Sequence, residues 1–453
     1  MAGNGIQFLN VTSGIASVLT DGTHTLSYAE CADVIEAFGA EMAAVDMAST
    51  DDVEVCCGQD LASALLCLAV LNSGLSAFVQ PVSVRHPHVA APPFCRWRVE
   101  ARWDRVPTVA VIERRDWNGR QNSGERRMVF RTSGTTATAK LVAHGVERLR
   151  RNAMNAVTRL QLSSRDRVAL PVPIFHMFGW GAAFLPAVLA GASIDIQPGA
   201  NLLRYVEREQ VFDPDVAFLT PSFMKTLVQG RRTRRPYALT VVAGDVVSVD
   251  DARAYAARFG PVVSLYGSTE LGAVAAGSRQ DVAGIRERTV GRPMDGVECR
   301  IDEQLRVRHA HGCLGYVDED GRVSSHVIDG WFPTNDAAEW HDGRYLRILG
   351  RIDRCVKRDG ALVALADVEA AIEHIEDVAS ATVVVAGRSM RGRGLVAFCV
   401  LAGDTRFDNE TLRQACVRTM PPGHVPDVVR IVDAIPTLPS GKPDRATLAR
   451  LAE

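Results

Sequence analysis

Four short segments of this 453-residue chain carry side chains whose types and spacing suit them to chemistry. In the first, an apolar run ends at Phe130 and gives way to Arg131-Thr132-Ser133-Gly134-Thr135-Thr136-Ala137-Thr138-Ala139-Lys140. Small and hydroxylated residues let backbone amides and hydroxyls close around phosphate oxygens, and the lysine adds a mobile positive charge. A polar turn is the alternative for this segment taken alone. The second segment, Ser264-Leu265-Tyr266-Gly267-Ser268-Thr269-Glu270, also follows a β-type run. It offers a flat ring for stacking a purine, a glycine for close approach, a hydroxyl, and a carboxylate suited to Mg²⁺. The third is Gly350-Arg351-Ile352-Asp353-Arg354-Cys355-Val356-Lys357, and the fourth is Pro439-Ser440-Gly441-Lys442-Pro443-Asp444-Arg445.

The lysines make these segments conspicuous. The chain has 47 arginines and four lysines, namely Lys140, Lys225, Lys357 and Lys442, and only Lys225 lies outside the four segments. A lysine is a compact point charge on a thin stem, whereas arginine is a planar fork. Lysine therefore marks places where any positive charge does not suffice.

Composition narrows the function classes. A formal net charge of −2 argues against an electrostatic nucleic-acid binder. The cluster Arg231, Arg232, Arg234 and Arg235, beside Gly230 and Pro236, reads as a solvated loop. With 47% hydrophobic and 23% charged residues the chain is ordinary globular material. The ten cysteines show no CxxC pair or zinc-type spacing, and read as reduced, mostly structural thiols of a cytoplasmic protein. Residues 1–14 lack the basic start and apolar run of a signal peptide. The uncharged stretches 61–84 and 168–194 are broken by prolines, glycines, His176 and amides, so buried core is expected and not membrane.

The elements that must position these residues follow from periodicity. An amphipathic helix is expected over 28–47 and an apolar one over 62–72, ending at Gly74. Short apolar runs at 109–112, Arg167–Leu170, Ser193–Ile196, Val216–Leu219, Leu239–Val242 and 262–265 alternate with helical segments. That rhythm predicts an α/β fold, with mostly parallel sheets covered by flanking helices. After about residue 285 the texture changes to short strands separated by Gly and Asp pairs, as at His341-Asp342-Gly343-Arg344. Beyond Gly350 a small α+β unit is expected, with helices over 366–376 and Asn409–Thr419 and strands over 381–385 and 395–401. The expected division is 1–352 and 353–453.

The four segments, in this order, resemble the adenylate-forming superfamily of acyl- and aryl-CoA synthetases, peptide-synthetase adenylation domains and luciferases. Pro173-Ile174-Phe175-His176-Met177-Phe178-Gly179, Val290-Gly291-Arg292-Pro293 and Gly330-Trp331-Phe332-Pro333-Thr334-Asn335-Asp336 also match, so the resemblance covers most of the chain. It implies that Thr132, Ser133, Gly134, Thr135, Thr136 and Lys140 hold the β- and γ-phosphates of ATP. Tyr266 would stack on adenine near Ala243 and Gly244, with Gly267 and Ser268 beside it, Thr269 at the α-phosphate and Glu270 on Mg²⁺. Asp336 would bind the ribose hydroxyls with help from Arg351, and Asp353 would be the hinge about which the small domain rotates between two half-reactions. Lys442 would be the catalytic lysine. Attack of a carboxylate on the α-phosphate gathers negative charge, which a compact cation on a mobile domain can bridge and then leave. His176 reads as a wall of an acid pocket or as a hydrogen-bonded core residue; Phe178 is taken with it, and Trp180 is pocket or core. Cys355 beside the hinge is a small hydrophobe.

Departures from the family pattern concern three places. Ala137, Ala139 and Leu141 stand where glycine and proline are usual in the phosphate loop, which narrows its backbone freedom. Asn335 replaces a glycine but tolerates left-handed backbone. Ala361, Leu362, Val363 and Leu365 replace a more polar pattern near CoA or a carrier arm. Little is expected between residues 84 and 129 to make the family's extra strands, which reads as a specialised, stand-alone member. The expected function is ATP- and Mg²⁺-dependent activation of a carboxylic acid, aryl or small, followed by transfer to the thiol of CoA or a carrier protein supplied from outside. Alternatives are an amine or other nitrogen acceptor, and a non-catalytic nucleotide-binding homologue. A P-loop NTPase is disfavoured because Gly-x₄-Gly-Lys-Ser/Thr spacing is absent around Lys140.

Overall fold

The computed structural model describes residues 8–9, 17–45, 47–82, 91–103, 106–114, 116–122, 124–132, 139–199, 201–231, 235–359, 361–403, 407–437 and 443–453. Of the expected site residues, Ser133, Gly134, Thr135, Thr136 and Lys442 lie outside these. Two compact units are present. One comprises residues 1–300, 306–332 and 340–347, the other residues 301–305, 333–339 and 348–453.

The first unit holds two large sheets. One runs in the order Arg292–Pro293, Gly272–Ala276, Val262–Ser268, Leu239–Val242, Val216–Leu219, Arg167–Leu170, Ser193–Ile196, Val18–Thr20 and Thr25–Ser27. Its six middle strands, from Val262–Ser268 to Val18–Thr20, are all parallel. Their near-continuous apolar character is what burial on both faces demands. Four of these strands have the boundaries that the apolar runs predicted.

The second sheet runs Val323–Ser324, Gly315–Val317, Leu141–Gly145, Arg127–Arg131, Ser76–Pro81, Asp52–Cys57, Cys95–Trp103 and Pro107–Glu113. Here the expectation of little between residues 84 and 129 is corrected, because the last two strands form an antiparallel pair across Trp97↔Glu113 to Trp103↔Pro107. Cys95, Trp97 and Val99 point inward while Arg96, Arg98 and Glu100 alternate with them, so each apolar position is hidden between charges. A single core joins the two sheets, containing Val53, Val79 and Phe130 from one and Leu19, Val168 and Ile194 from the other.

The helix Leu61–Asn72 is capped by Asp60, whose side chain accepts from the Ser63 amide, and is buried at every position but the last. Apolar on all sides, it lies within that core, and no helix among the described residues is long and apolar enough to cross a membrane. The helix Tyr28–Ala43 begins at a Ser27–Glu30 capping box and stops four residues before its expected end, where the buried stripe Tyr28, Cys31, Ile35, Phe38, Met42 runs out. All ten cysteines are free thiols.

Half of the arginine cluster is also corrected, Arg232 and Arg234 lying outside the described residues. Arg231 pairs at 2.6 Å with Glu209, a carboxylate only 2% exposed, and Arg235 lies 3.7 Å from the same group. These two side chains neutralise a buried acid and are not a solvated face.

In the second unit the strands Ala361–Ala364, Cys355–Arg358, Gly392–Leu401 and Val378–Ser389 pair in that order, with Val428–Ile431 parallel to Gly392–Leu401. The helices Leu365–Glu373 and Asn409–Thr419 contribute Leu365, Val368, Ile372, Leu412 and Cys416 to its core. The apolar residues Val363 and Leu365, unexpected against the family pattern, are both buried in that core.

Candidate active site

The described part of the first segment is its two ends. The Thr132 amide donates to the Lys140 carbonyl at 2.8 Å, and the Lys140 amide donates to Thr132 Oγ1 at 3.0 Å. This clasp ties the end of the strand Arg127–Arg131 to the start of its partner Leu141–Gly145. Lys140 then places its Nζ over the ring of Tyr316, 4.7 Å from the centroid.

The second segment closes the strand Val262–Ser268. A bulge between Tyr266 and Gly267 re-aims the chain. Gly267 has no room for a side chain, because a Cβ there would lie 2.1 Å from the Gly272 carbonyl oxygen. Ala243 and Gly244 follow the neighbouring strand, paired at Val242↔Ser264, so both lie beside Tyr266 at the carboxyl ends of parallel strands. Crevices at such ends are where α/β sheets bind ligands.

Thr269 and Glu270 sit in the turn that follows, and three residues outside every motif hold it, the second of them backed by His309. His144, fully buried, places Nε2 2.6 Å from the Thr269 carbonyl. Asn152, 1% exposed, donates to the carbonyls of Leu271 and Ala273 and accepts from the Ala273 amide, and His309 Nε2 lies 3.0 Å from both Asn152 Nδ2 and the Ala273 carbonyl. Burial, acting against the hydrogen bonds to Thr269 and Ala273, pushes both histidines down to about 4 and keeps them neutral. The third residue is Tyr316, whose hydroxyl donates to Glu270 Oε1 at 2.9 Å. None of the three carries a sequence signal of its own; each is recognisable only once the sheet brings it beside the turn.

Lys140, Thr269 and Glu270, expected to act together, are thus brought together through Tyr316 and His144. On the donor set, Glu270 suits a hard cation: one oxygen takes the Tyr316 proton, and a lone carboxylate matches Mg²⁺, which keeps several waters and takes its other ligands from phosphates. Among the described residues no group of three or more His, Cys, Asp or Glu side chains could hold a metal by itself.

The acid-pocket candidates lie just past the strand Arg167–Leu170. His176 is exposed on one side and edges onto Phe175 at 4.8 Å, and the protein packed around it lowers its pKa. Half-buried Phe178 lies 6.4 Å from Phe218 between ring centroids. Trp180 is fully buried against Phe184, at 5.0 Å, and its Nε1 has no hydrogen-bond partner. These rings lead into a π-helical turn, Phe178–Phe184, a rare geometry that recurs at functional sites.

In the second unit Arg351 donates to the Thr334 carbonyl at 3.0 Å and reaches Asp336 Oδ1 at 3.5 Å. Asn335 adopts the left-handed conformation anticipated for it, with φ of 57°. Asp353 is exposed in the short helical turn Ile352–Arg354.

The two-sheet fold, the nucleotide-type site at strand ends and the small α+β unit define an adenylate-forming enzyme. The AMP-binding enzyme family model matches residues 116–317 and the AMP-binding enzyme C-terminal domain model matches residues 367–442; the chain belongs to this family. Among characterised relatives, a ligase from Rhodococcus jostii that joins a methyl-dioxo-octahydroindenyl propanoyl group to CoA is 27% identical over 69% of this chain and 63% of its own length. Anthranilate–CoA ligase from Pseudomonas aeruginosa is 27% identical over 75% of this chain and 69% of its own. The chain thus spans about two thirds of the length of these relatives. Among solved structures, the amide bond synthetase McbA from Marinactinospora thermotolerans superposes with a TM-score of 0.75 at 20% identity over 98% of both chains, which establishes the shared fold.

Proposed function

We propose that this protein activates a small or aryl carboxylic acid with ATP, forming an acyl-adenylate and pyrophosphate, and passes the acyl group to the thiol of CoA or of a carrier protein. The single observation that carries this reading is the meeting of Lys140 and Glu270 on Tyr316, beside a turn held by His144 and Asn152. A lysine suited to phosphate and a carboxylate suited to a metal thus share one ring at the carboxyl ends of parallel strands, which supports the reading.

In this reading Lys140 and the segment beginning at Thr132 take the β- and γ-phosphate oxygens. Tyr266 stacks on adenine beside Ala243 and Gly244, with Gly267 and Ser268 lining the approach. Thr269 meets the α-phosphate. Mg²⁺ bound at Glu270 would neutralise charge developing on the departing pyrophosphate. Asp336 takes the ribose hydroxyls with Arg351 fixing its orientation, Asp353 is the hinge of a mobile C-terminal domain over 353–453, and Lys442 bridges carboxylate and α-phosphate in the first half-reaction. His176 and Phe178 line the acid side, with the buried Trp180 supporting it from the core, and this aromatic bulk favours a compact ring over a long chain. The anthranilate specificity of one relative supports an aryl acid.

The deciding experiment is acid-dependent exchange of labelled pyrophosphate into ATP, screened across aryl, short-chain and amino acids. Lys442→Ala abolishes exchange while ATP still binds, and normal exchange in that variant overturns the lysine's role. The acceptor is read from a panel of CoA, carrier proteins and amines. An amide bond synthetase among the fold's neighbours keeps nitrogen acceptors in that panel as the second reading, and strict dependence on CoA excludes it.

A further inference from the structure

Lys140 and Glu270 carry opposite charges on adjacent elements, yet each is engaged by Tyr316 and not by the other. The ammonium rests on the face of the Tyr316 ring, 4.7 Å from its centroid, and the carboxylate accepts the proton of the same residue's hydroxyl at 2.9 Å. Among the described residues Lys140 makes no ion pair, and its ammonium is left to the ring face. Both groups are needed in their charged, uncompensated forms: the ammonium for triphosphate oxygens, the carboxylate for a divalent cation. A direct Lys140–Glu270 pair would satisfy each with the other and would have to be broken before nucleotide could enter.

We propose that Tyr316 is a positioning residue that holds the phosphate-loop lysine and the metal-binding carboxylate apart, giving one its ring face and the other its hydroxyl, so that both stay available to Mg²⁺·ATP.

The platform is rigid enough for the task. Tyr316 lies on the strand Gly315–Val317, in antiparallel register with Val142 on the strand that Lys140 introduces, and with Ser324 on its other side. His326 closes the far edge of the ring at 5.4 Å. The main chain of Glu270 is tied to the same region, its carbonyl accepting from the Cys313 amide at 2.9 Å. The arrangement also leaves Glu270 a second oxygen for the metal, and a group that orients a ligand in this way typically governs metal affinity by about 10–100-fold.

This inference rests on the functional reading above, and two variants separate its parts. Tyr316→Phe keeps the ring and removes the hydroxyl. Its affinity for ATP without metal, measured by calorimetry, stays within about twofold of the unaltered protein, while the Mg²⁺ concentration for half-maximal pyrophosphate exchange rises about tenfold. Tyr316→Leu removes both contacts, and Lys140 then pairs with Glu270. Metal-free ATP affinity falls about tenfold, and adding Glu270→Gln to that variant restores it by releasing the lysine. Unchanged metal-free binding in Tyr316→Leu, or an unchanged Mg²⁺ requirement in Tyr316→Phe, overturns the inference alone. Absence of ATP binding by the unaltered protein overturns the functional reading and this inference with it.

Discussion

His144 Nε2 lies 2.6 Å from the carbonyl oxygen of Thr269. A carbonyl can only accept, so Nε2 carries the proton, and Nδ1, which is buried without a partner, keeps its lone pair. This neutral tautomer is the pin that fixes the turn at Thr269 and Glu270 to the second sheet. Burial sets its pKa at about 4, against 6.5 for an unperturbed histidine, and His309 is lowered to about 4 for the same reason. The folded state therefore stays unprotonated where the unfolded chain binds protons. Stability from these two groups is full above pH 6.5 and falls as pH drops towards 4, by at most about 2.7 kcal/mol per pH unit for two protons. Thermal unfolding followed between pH 7.5 and 4.5 shows this slope, and His144→Gln shows roughly half of it.

Asn152→Ala removes the hinge pin of the same turn. The amide side chain satisfies the main chain of Leu271 and Ala273 from within the core, and its loss leaves buried polar groups unpaired. A cost of about 2–4 kcal/mol is expected. The exchange rate at saturating ATP and acid falls with it, because Thr269 and Glu270 lose their orientation. Gly272 depends on the same side chain: at φ of +67° its missing Cβ would lie 2.8 Å from the Asn152 amide. Gly272→Ala is therefore at least as damaging, and an active Gly272→Ala enzyme contradicts this account of the turn.

Phe178 and Trp180, two residues apart, separate pocket from core. Trp180 is fully buried and Phe178 half-buried. Trp180→Ala costs about 3–5 kcal/mol of stability whatever acid is used. Phe178→Ala shifts the melting temperature much less and raises KM for the acid severalfold, changing the preference among ring sizes. Equal losses of stability in the two variants would place Phe178 in the core as well.

How much of this could be read in advance depended on whether a residue's role is local. The parallel strands are continuous apolar runs, and Arg167–Leu170 or Val216–Leu219 need no partner to be recognised. Tyr266, Thr269 and Glu270 are legible because they fall within five consecutive residues at the end of one strand. His144, Asn152 and Tyr316 come from three separate elements, and only strand pairing and helix packing brings them to that turn. Arg96 and Arg98 masked the strand Cys95–Trp103 because their charges alternate with its buried positions. Arg231 read as solvent-facing because its partner, Glu209, is buried on another helix. Long-range charge pairing is invisible in a linear pattern, and it is here that sequence reasoning failed.

The second unit has its own version of such a pair. Arg358, 1% exposed, donates to Asp427 at 2.6 Å and to the carbonyls of Arg393 and Val425 at 2.8 and 3.1 Å. Burial alone would raise the Asp427 carboxyl, but the guanidinium and the Leu395 amide hold it below its usual value. Asp427→Asn keeps the shape and removes the charge, leaving a buried guanidinium uncompensated at about 3–5 kcal/mol. The loss falls on the unit that includes residues 348–453, whose core is separate from that of the two large sheets. Calorimetry of the variant then shows an early transition for this unit with the main one unmoved. If Lys442 acts as proposed, pyrophosphate exchange disappears above that early transition. A single, uniformly shifted transition would mean instead that the two units unfold as one.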